Sequence, residues 1–118
     1  ECMAHPNYKS ALMEAGEDST LIIKRSIGRP ARALRTSGAE KVALAEQENT
    51  PMEEFLEMVS GEVNRRGALE GRIDDAFVWA GQVSCLIRDL PSVHDLIDRM
   101  VGQASELMRM AAKAVERP

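Results

Sequence analysis

The side chains best suited to chemistry in this sequence are two cysteines, Cys2 and Cys85, and two histidines, His5 and His94. Nucleophilic catalysis needs a base within hydrogen-bond reach of the nucleophile, and the spacing of these four residues matches no known pairing. Cys85 lies in an apolar run and is better interpreted as a small core residue. We expect His94 on the polar side of a helix and His5 at a helix start. The sequence therefore predicts no catalytic residue.

Metal and phosphate sites are not predicted either. Zinc sites need clustered ligands such as C-x-x-C or H-x-x-x-H, and the cysteines and histidines here are isolated. The phosphate-binding patterns G-x-G-x-x-G and G-x-x-x-x-G-K-[ST] do not occur. The adjacent acids at 53–54 and 74–75 fit helix caps and solvated faces better than general acids. From the residues alone, the chain has no complete active site.

The composition is that of a soluble globular protein with one domain over residues 1–118. Of the 118 residues, 44% are hydrophobic and 29% are charged. The net charge of −4 gives no reason to expect nucleic acid as a partner. No apolar run approaches the ~20 residues of a membrane span. The two distant cysteines predict free thiols in a reducing cytoplasm, although a disulfide stays open.

Residues 24–41 hold six of the fifteen basic residues. The core Gly28-Arg29-Pro30 resembles a minor-groove AT-hook, but Ile27 stands where that motif needs a basic residue. A solvated basic segment that pairs with the acidic remainder is favoured over DNA binding. Contact with an anion or phosphate is the alternative, because guanidinium groups suit such ligands.

The first half of the chain predicts three helices and one strand. A short helix begins at Pro6 and ends before Gly16. Residues 20–23 form the only convincing strand, which would need a second chain or a missing segment as its partner. Ser37 with Glu40 makes a capping box for an Ala-rich helix.

Thr50 with Pro51 starts another helix, whose apolar stripe ends near Asn64. Residues 65–72 are expected to form a connector. Residues 76–80 are ambiguous between a strand and a buried helical turn. Gly81 and Gln82 lie where this apolar run must change direction.

The last predicted element is a long amphipathic helix. Ser92 is its natural N-cap, with Asp95 three residues later. Apolar residues then recur at helical spacing and predict one buried face. A helix to about Glu116 would be roughly 35 Å long at ~1.5 Å per residue. The predicted fold is thus mainly α, with four or five helices and one short strand around Leu21 and Ile23.

Three stretches resemble the C-terminal part of the nitronate monooxygenase (2-nitropropane dioxygenase) family, to which the flavin-dependent enoyl-ACP reductases are related. They occur in the family's order along the chain: residues 1–9 (ECMAHPNYK), residues 28–35 (GRPARALR), and residues 80–87 (AGQVSCLI) followed by Pro91-Ser92-Val93. The start at Glu1-Cys2, without a methionine, also suggests a piece of something longer.

The resemblance implies an FMN-dependent oxidoreductase built on a TIM-type α/β barrel, which oxidises alkyl nitronates or reduces enoyl thioesters. It implies that the flavin-phosphate loops and the catalytic histidine lie upstream, so that His5 is not that histidine. Gly81 and Gln82 would face the flavin side. Ser84-Cys85 stands where the family usually has small residues.

Two functions follow as hypotheses. The first is a C-terminal part of such an enzyme, inactive alone and with no FMN bound by this chain by itself. The alternative is a non-enzymatic helical module that forms a homo-oligomer, most simply a dimer. A fragment of a barrel exposes apolar surface that the complete barrel would bury, and this exposure favours self-association.

Overall fold

A computed structural model of the chain describes residues 2–115. Over these residues it is mainly helical, as predicted. The elements are α1 (Pro6–Met13), β1 (Thr20–Ile23), β2 (Ala31–Leu34), α2 (Ser37–Gln47), α3 (Met52–Met58), α4 (Gly61–Glu70) and α5 (Val93–Val115), with short 3-10 turns at Ile73–Asp75 and Gln82–Leu86. The chain divides into two compact units, Cys2–Arg88 and the segment from Asp89 onward.

The predicted strand has its partner within the chain. β1 pairs antiparallel with β2, from Thr20 opposite Leu34 to Ile23 opposite Ala31. The prediction that this strand needs a second chain or a missing segment is therefore wrong. β2 was missed because its sequence, ARAL, has low β propensity and lies within the basic stretch. Tertiary pairing decides its conformation.

Residues 76–80 form an extended segment along the other edge of β2. Trp79 makes a bridge with Ala33. The amide of Leu34 donates to Val78 O at 2.8 Å, and the amide of Ala80 donates to Arg32 O at 3.3 Å. Of the two conformations left open for this run, the structure has the extended one.

The pleat of β2 divides the core of the first unit into two clusters. Ala33 joins the larger cluster, which α2 and α3 cover with side chains such as Val42 and Phe55. Leu34, the next residue, joins a smaller cluster with Ala15 and Val78. Successive side chains of a strand point to opposite faces, so the sheet is covered on both sides.

Two predicted helix starts are shifted by one residue. The N-cap of α2 is Thr36, whose hydroxyl accepts a hydrogen bond from the amide of Ala39 at 3.2 Å. The hydroxyl of Ser37 instead donates to the carbonyl and carboxylate oxygens of Asp74. For α3 the cap residue is Pro51, without a side-chain hydrogen bond. Thr50 therefore does not cap it.

The predicted single helix over residues 52–64 is two helices. α3 ends at Met58, and Ser60 caps α4 by accepting a hydrogen bond from the amide of Val63 at 3.4 Å. The predicted connector over residues 65–72 is likewise mostly helix, because α4 continues to Glu70. Gly71 ends α4 in the left-handed conformation at φ 72°.

The second unit consists mainly of α5. Its predicted cap is confirmed, since the hydroxyl of Ser92 accepts from the amide of Asp95 at 3.1 Å and donates to its carboxylate at 2.6 Å. Arg99 pairs with Asp89 at 2.8 Å. The prediction that one face of this helix is buried is wrong for the described residues, because no side chain of α5 is buried. The predicted helix end, Glu116, lies outside the described residues.

None of the described helices is long and apolar enough to cross a membrane.

Candidate cofactor-facing turn

Gly81 and Gln82 lie on an exposed turn directly after the extended segment 76–80. Gly81 has extended backbone angles, φ −83° and ψ 165°, and Gln82 opens the 3-10 turn Gln82–Leu86. The turn is tied internally, because buried Ser84 donates to Gly81 O through both its hydroxyl (2.7 Å) and its amide (3.1 Å). The turn therefore presents Gly81 and Gln82 to the surroundings from a fixed backbone.

Gly81 differs from the glycines that the fold requires. A Cβ on Gly38 or Gly67 would approach Ala76 at under 3 Å, and a Cβ on Gly71 would overlap the His5 ring. A Cβ on Gly81 would meet only Val83 Cγ2, at an ordinary 3.8 Å. Its backbone angles also suit any residue. Neither packing nor backbone geometry within the described residues explains the glycine at position 81.

The outward face of the same turn mixes an amide with apolar groups. Val83 is 69% exposed and Leu86 is 71% exposed, on either side of buried Ser84. Gln82 adds an exposed carboxamide that can both donate and accept. Such a surface suits the edge or face of a flat, partly polar heterocycle.

Trp79 supports this turn from the side of the core. Its carbonyl accepts a hydrogen bond from the Tyr8 hydroxyl at 3.2 Å. Its ring lies 4.7 Å from the Phe77 ring, tilted by 57°. The Lys24 ammonium lies 5.5 Å from its ring centroid. Partial burial raises the pKa of the Tyr8 hydroxyl.

Sequence analysis did not single out Tyr8 or Lys24 as supports of this turn. The Tyr8 contact spans 71 residues along the chain. The Lys24 contact depends on the β1–β2 pairing that was also missed. No local pattern could have indicated either one.

The other reactive side chains have structural roles or none. His5 caps α1, with Nδ1 accepting from the amide of Asn7 at 3.1 Å, as predicted. His94 is exposed and lies 3.3 Å from Asp98. Both cysteines are free, as predicted. Cys85 is not the core residue predicted, because it is only half-buried and belongs to neither core cluster; its Sγ lies 3.3 Å from Gln82 O. Across residues 2–115, no three His, Cys, Asp or Glu side chains are grouped to hold a metal ion.

Two arginines of the basic stretch 24–41 make polar contacts within the chain. Arg32 donates to the hydroxyl of Thr20 at 3.0 Å, and Arg35 pairs with Glu40 at 3.7 Å. Arg25 and Arg29 are exposed in the loop between β1 and β2. The alternatives of a solvated segment and an anion contact stay predictions.

The sequence pattern that defines the family described as nitronate monooxygenase matches residues 1–103 of the chain. The chain belongs to the nitronate monooxygenase family. This match confirms the family relationship inferred from the three stretches, and it includes the turn with Gly81 and Gln82.

The fold is also similar to solved structures of FabK from Thermotoga maritima. One structure superposes with a TM-score of 0.82 at 29% identity, over 94% of this chain and 35% of that chain. The M276A mutant gives a TM-score of 0.73 at 27% identity, over 94% of this chain and 32% of that chain. The chain thus spans about a third of the length of these FabK chains.

Proposed function

We propose that this chain is the C-terminal part of an FMN-dependent oxidoreductase of the nitronate monooxygenase type and is inactive by itself. The observation that carries the proposal is the family match over residues 1–103. The absence of G-x-G-x-x-G and P-loop patterns from the sequence supports it. The chemistry then depends on parts of the enzyme other than this segment.

The Gly81–Gln82 turn is the part of this chain that would meet the flavin. FMN, when bound, supplies the redox chemistry. Gly81 would let the flavin approach the backbone closely, since a side chain is absent there without any internal need. The Gln82 carboxamide would hydrogen-bond to polar edge atoms, and Val83 and Leu86 would exclude water from the same face.

The substrate stays open between an alkyl nitronate, oxidised with oxygen, and an enoyl thioester, reduced with a nicotinamide. The resemblance to the flavin-dependent enoyl-ACP reductases favours the thioester, whereas the family description favours the nitronate. The free thiols fit a reducing compartment, and we place the protein in the cytoplasm.

The test compares Gly81→Leu with Gly81→Ala in the full-length product of the gene that encodes this chain. Leucine should block close approach and lower flavin content, while alanine should have a smaller effect. Both variants should unfold at the same denaturant concentration as the wild type, because position 81 is open within the chain. Unchanged flavin affinity in Gly81→Leu would contradict a flavin-facing Gly81.

A second function is favoured by α5. Its apolar residues recur at helical spacing and are exposed, among them Leu96, Ile97, Met100, Val101, Leu107 and Met108. Burying such a stripe is worth about 25 cal/mol per Å² of apolar surface. We propose that the isolated chain forms a homodimer through this stripe, a non-enzymatic role. Sedimentation of a clean monomer at micromolar concentration would count against it.

A further inference from the structure

Lys24 has a backbone conformation that its residue type disfavours. It directly follows β1, and its φ is +67°. A side chain in this left-handed region approaches the neighbouring carbonyl oxygen too closely, which is why glycine usually occupies it. Such strain persists only where surrounding contacts hold the residue in place. The contacts around Lys24 therefore indicate what this strained conformation achieves.

Glu46 of α2 holds the start of this loop through both carboxylate oxygens. Oε2 accepts a hydrogen bond from the amide of Lys24 at 2.9 Å. Oε1 accepts from the amide and the hydroxyl of Ser26, each at 2.8 Å. Hydrogen bonds to an ionised acceptor are stronger than neutral ones. The carboxylate therefore ties the turn after β1 to a helix of the core.

Held in this way, the Lys24 side chain reaches Trp79. Its ammonium lies 5.5 Å from the centroid of the indole ring, within range of a cation–π interaction. Trp79 is also held by two other contacts. Its carbonyl accepts a hydrogen bond from the Tyr8 hydroxyl, and its backbone forms the bridge to Ala33. Trp79 precedes Gly81 by two residues, so the orientation of its backbone sets where the exposed turn begins.

We propose that Lys24, held by Glu46, is a positioning residue that fixes Trp79 and, through it, the Gly81–Gln82 turn. The effect on the cofactor rests on the proposed function, in which this turn faces the flavin. Lys24 itself acts only through Trp79. The hairpin loop thus serves the site, although most of its side chains are solvated.

The positioning effect is tested on the 118-residue chain without flavin, by comparing backbone amide resonances. Lys24→Met keeps an apolar stem but removes the cation, and Glu46→Gln weakens the hold on the loop. Both variants should shift the amide resonances of Gly81 and Gln82 from their wild-type positions. Lys24→Arg keeps the cation and should leave these resonances at their wild-type positions. The matched control is Lys41→Met, an exposed lysine of α2. Unchanged Gly81 and Gln82 resonances in Lys24→Met would overturn the proposal.

The consequence for the cofactor is measured in the full-length gene product. Lys24→Met should weaken FMN binding by at most roughly fivefold, the full strength of one ordinary cation–π contact, because Lys24 acts on the flavin only through Trp79. Lys24→Arg should bind FMN like the wild type. Wild-type affinity in Lys24→Met would overturn the role in cofactor placement. If the wild-type gene product binds no FMN, the proposed function fails, while the resonances of the isolated chain still decide the positioning effect.

Discussion

At the scale of single residues, some glycines are required by the fold, whereas Gly81 is not required by any contact within the described residues. Gly71 combines a left-handed φ with direct contact to the His5 ring, so no side chain fits there. Gly81 has neither constraint. The sequence alone marked Gly81 through the family resemblance, but it could not show that position 81 is open. That distinction depends on neighbours far away in the chain.

Replacing Gly71 with alanine should destabilise the chain by about 2 kcal/mol or more. About 1 kcal/mol comes from the left-handed conformation, and the rest from displacing the His5 ring. Urea unfolding followed by circular dichroism gives the free energy of unfolding. Gly81→Ala is the matched control and should fall within ~0.5 kcal/mol of the wild type. Equal stability of the two variants would contradict the close contact at Gly71.

The ion pair between Arg72 and Asp75 makes stability depend on pH. A hydrogen bond from the Arg72 guanidinium, at 2.7 Å, lowers the pKa of Asp75 below its ordinary value. A carboxylate with a lowered pKa in the folded state adds stability above its unfolded pKa. This contribution is lost as the pH falls through the folded pKa. Both side chains are exposed, so solvent screens the pair and the effect is small.

Arg72→Gln should therefore raise the pKa of Asp75 toward its ordinary value. Carboxyl carbon shifts measured against pH by NMR report it directly. The stability difference from the wild type should be present at neutral pH and vanish in acid, below the pKa of Asp75. An unchanged Asp75 titration in Arg72→Gln would show that the pair does not form in solution.

At the scale of elements, the sequence predicted the helices better than their ends or the sheet. Long periodic stretches such as α5 could be identified, because one helical period repeats over many turns. β2 could not, since its four residues contain two alanines and an arginine, and only pairing with β1 and Trp79 fixes them. The same holds for the candidate site, because contacts between residues far apart in the chain cannot be predicted from local sequence. Gly81 and Gln82 stay a prediction from the family resemblance, and the Tyr8 and Lys24 contacts beside them could not be predicted from the sequence.

The start of α2 offers a direct test of the assigned cap. Thr36→Ala should cost about 1 kcal/mol, because it removes the hydroxyl that accepts from the amide of Ala39. Thr36→Ser keeps that hydroxyl and should cost less. Ser37→Ala loses only exposed contacts to Asp74 and should also cost less. Urea unfolding measures the loss of stability in each variant. A larger loss of stability in Ser37→Ala than in Thr36→Ala would show that Ser37, and not Thr36, caps α2.

At the scale of the whole molecule, the chain is about a third of the length of the FabK chains it resembles, and many large apolar side chains are exposed among the described residues. Leu107→Lys places a charge in the apolar stripe of α5 and should weaken the proposed dimer at least tenfold. Gly102→Lys adds the same charge on the opposite face of α5, where a side chain meets nothing within 4 Å, and should leave association unchanged. Sedimentation equilibrium measures both. Equal association of the two variants would place the contact elsewhere than on the stripe.

The central claim is that the chain belongs to an FMN enzyme but does not build the flavin site by itself. Native mass spectrometry with added FMN tests it most directly, on the 118-residue chain and on the full-length product of its gene. We predict that the chain appears at multiples of 13.0 kDa without added mass, and that the full-length product carries one FMN per chain. Stoichiometric FMN on the isolated chain, or none on the full-length product, would contradict the claim.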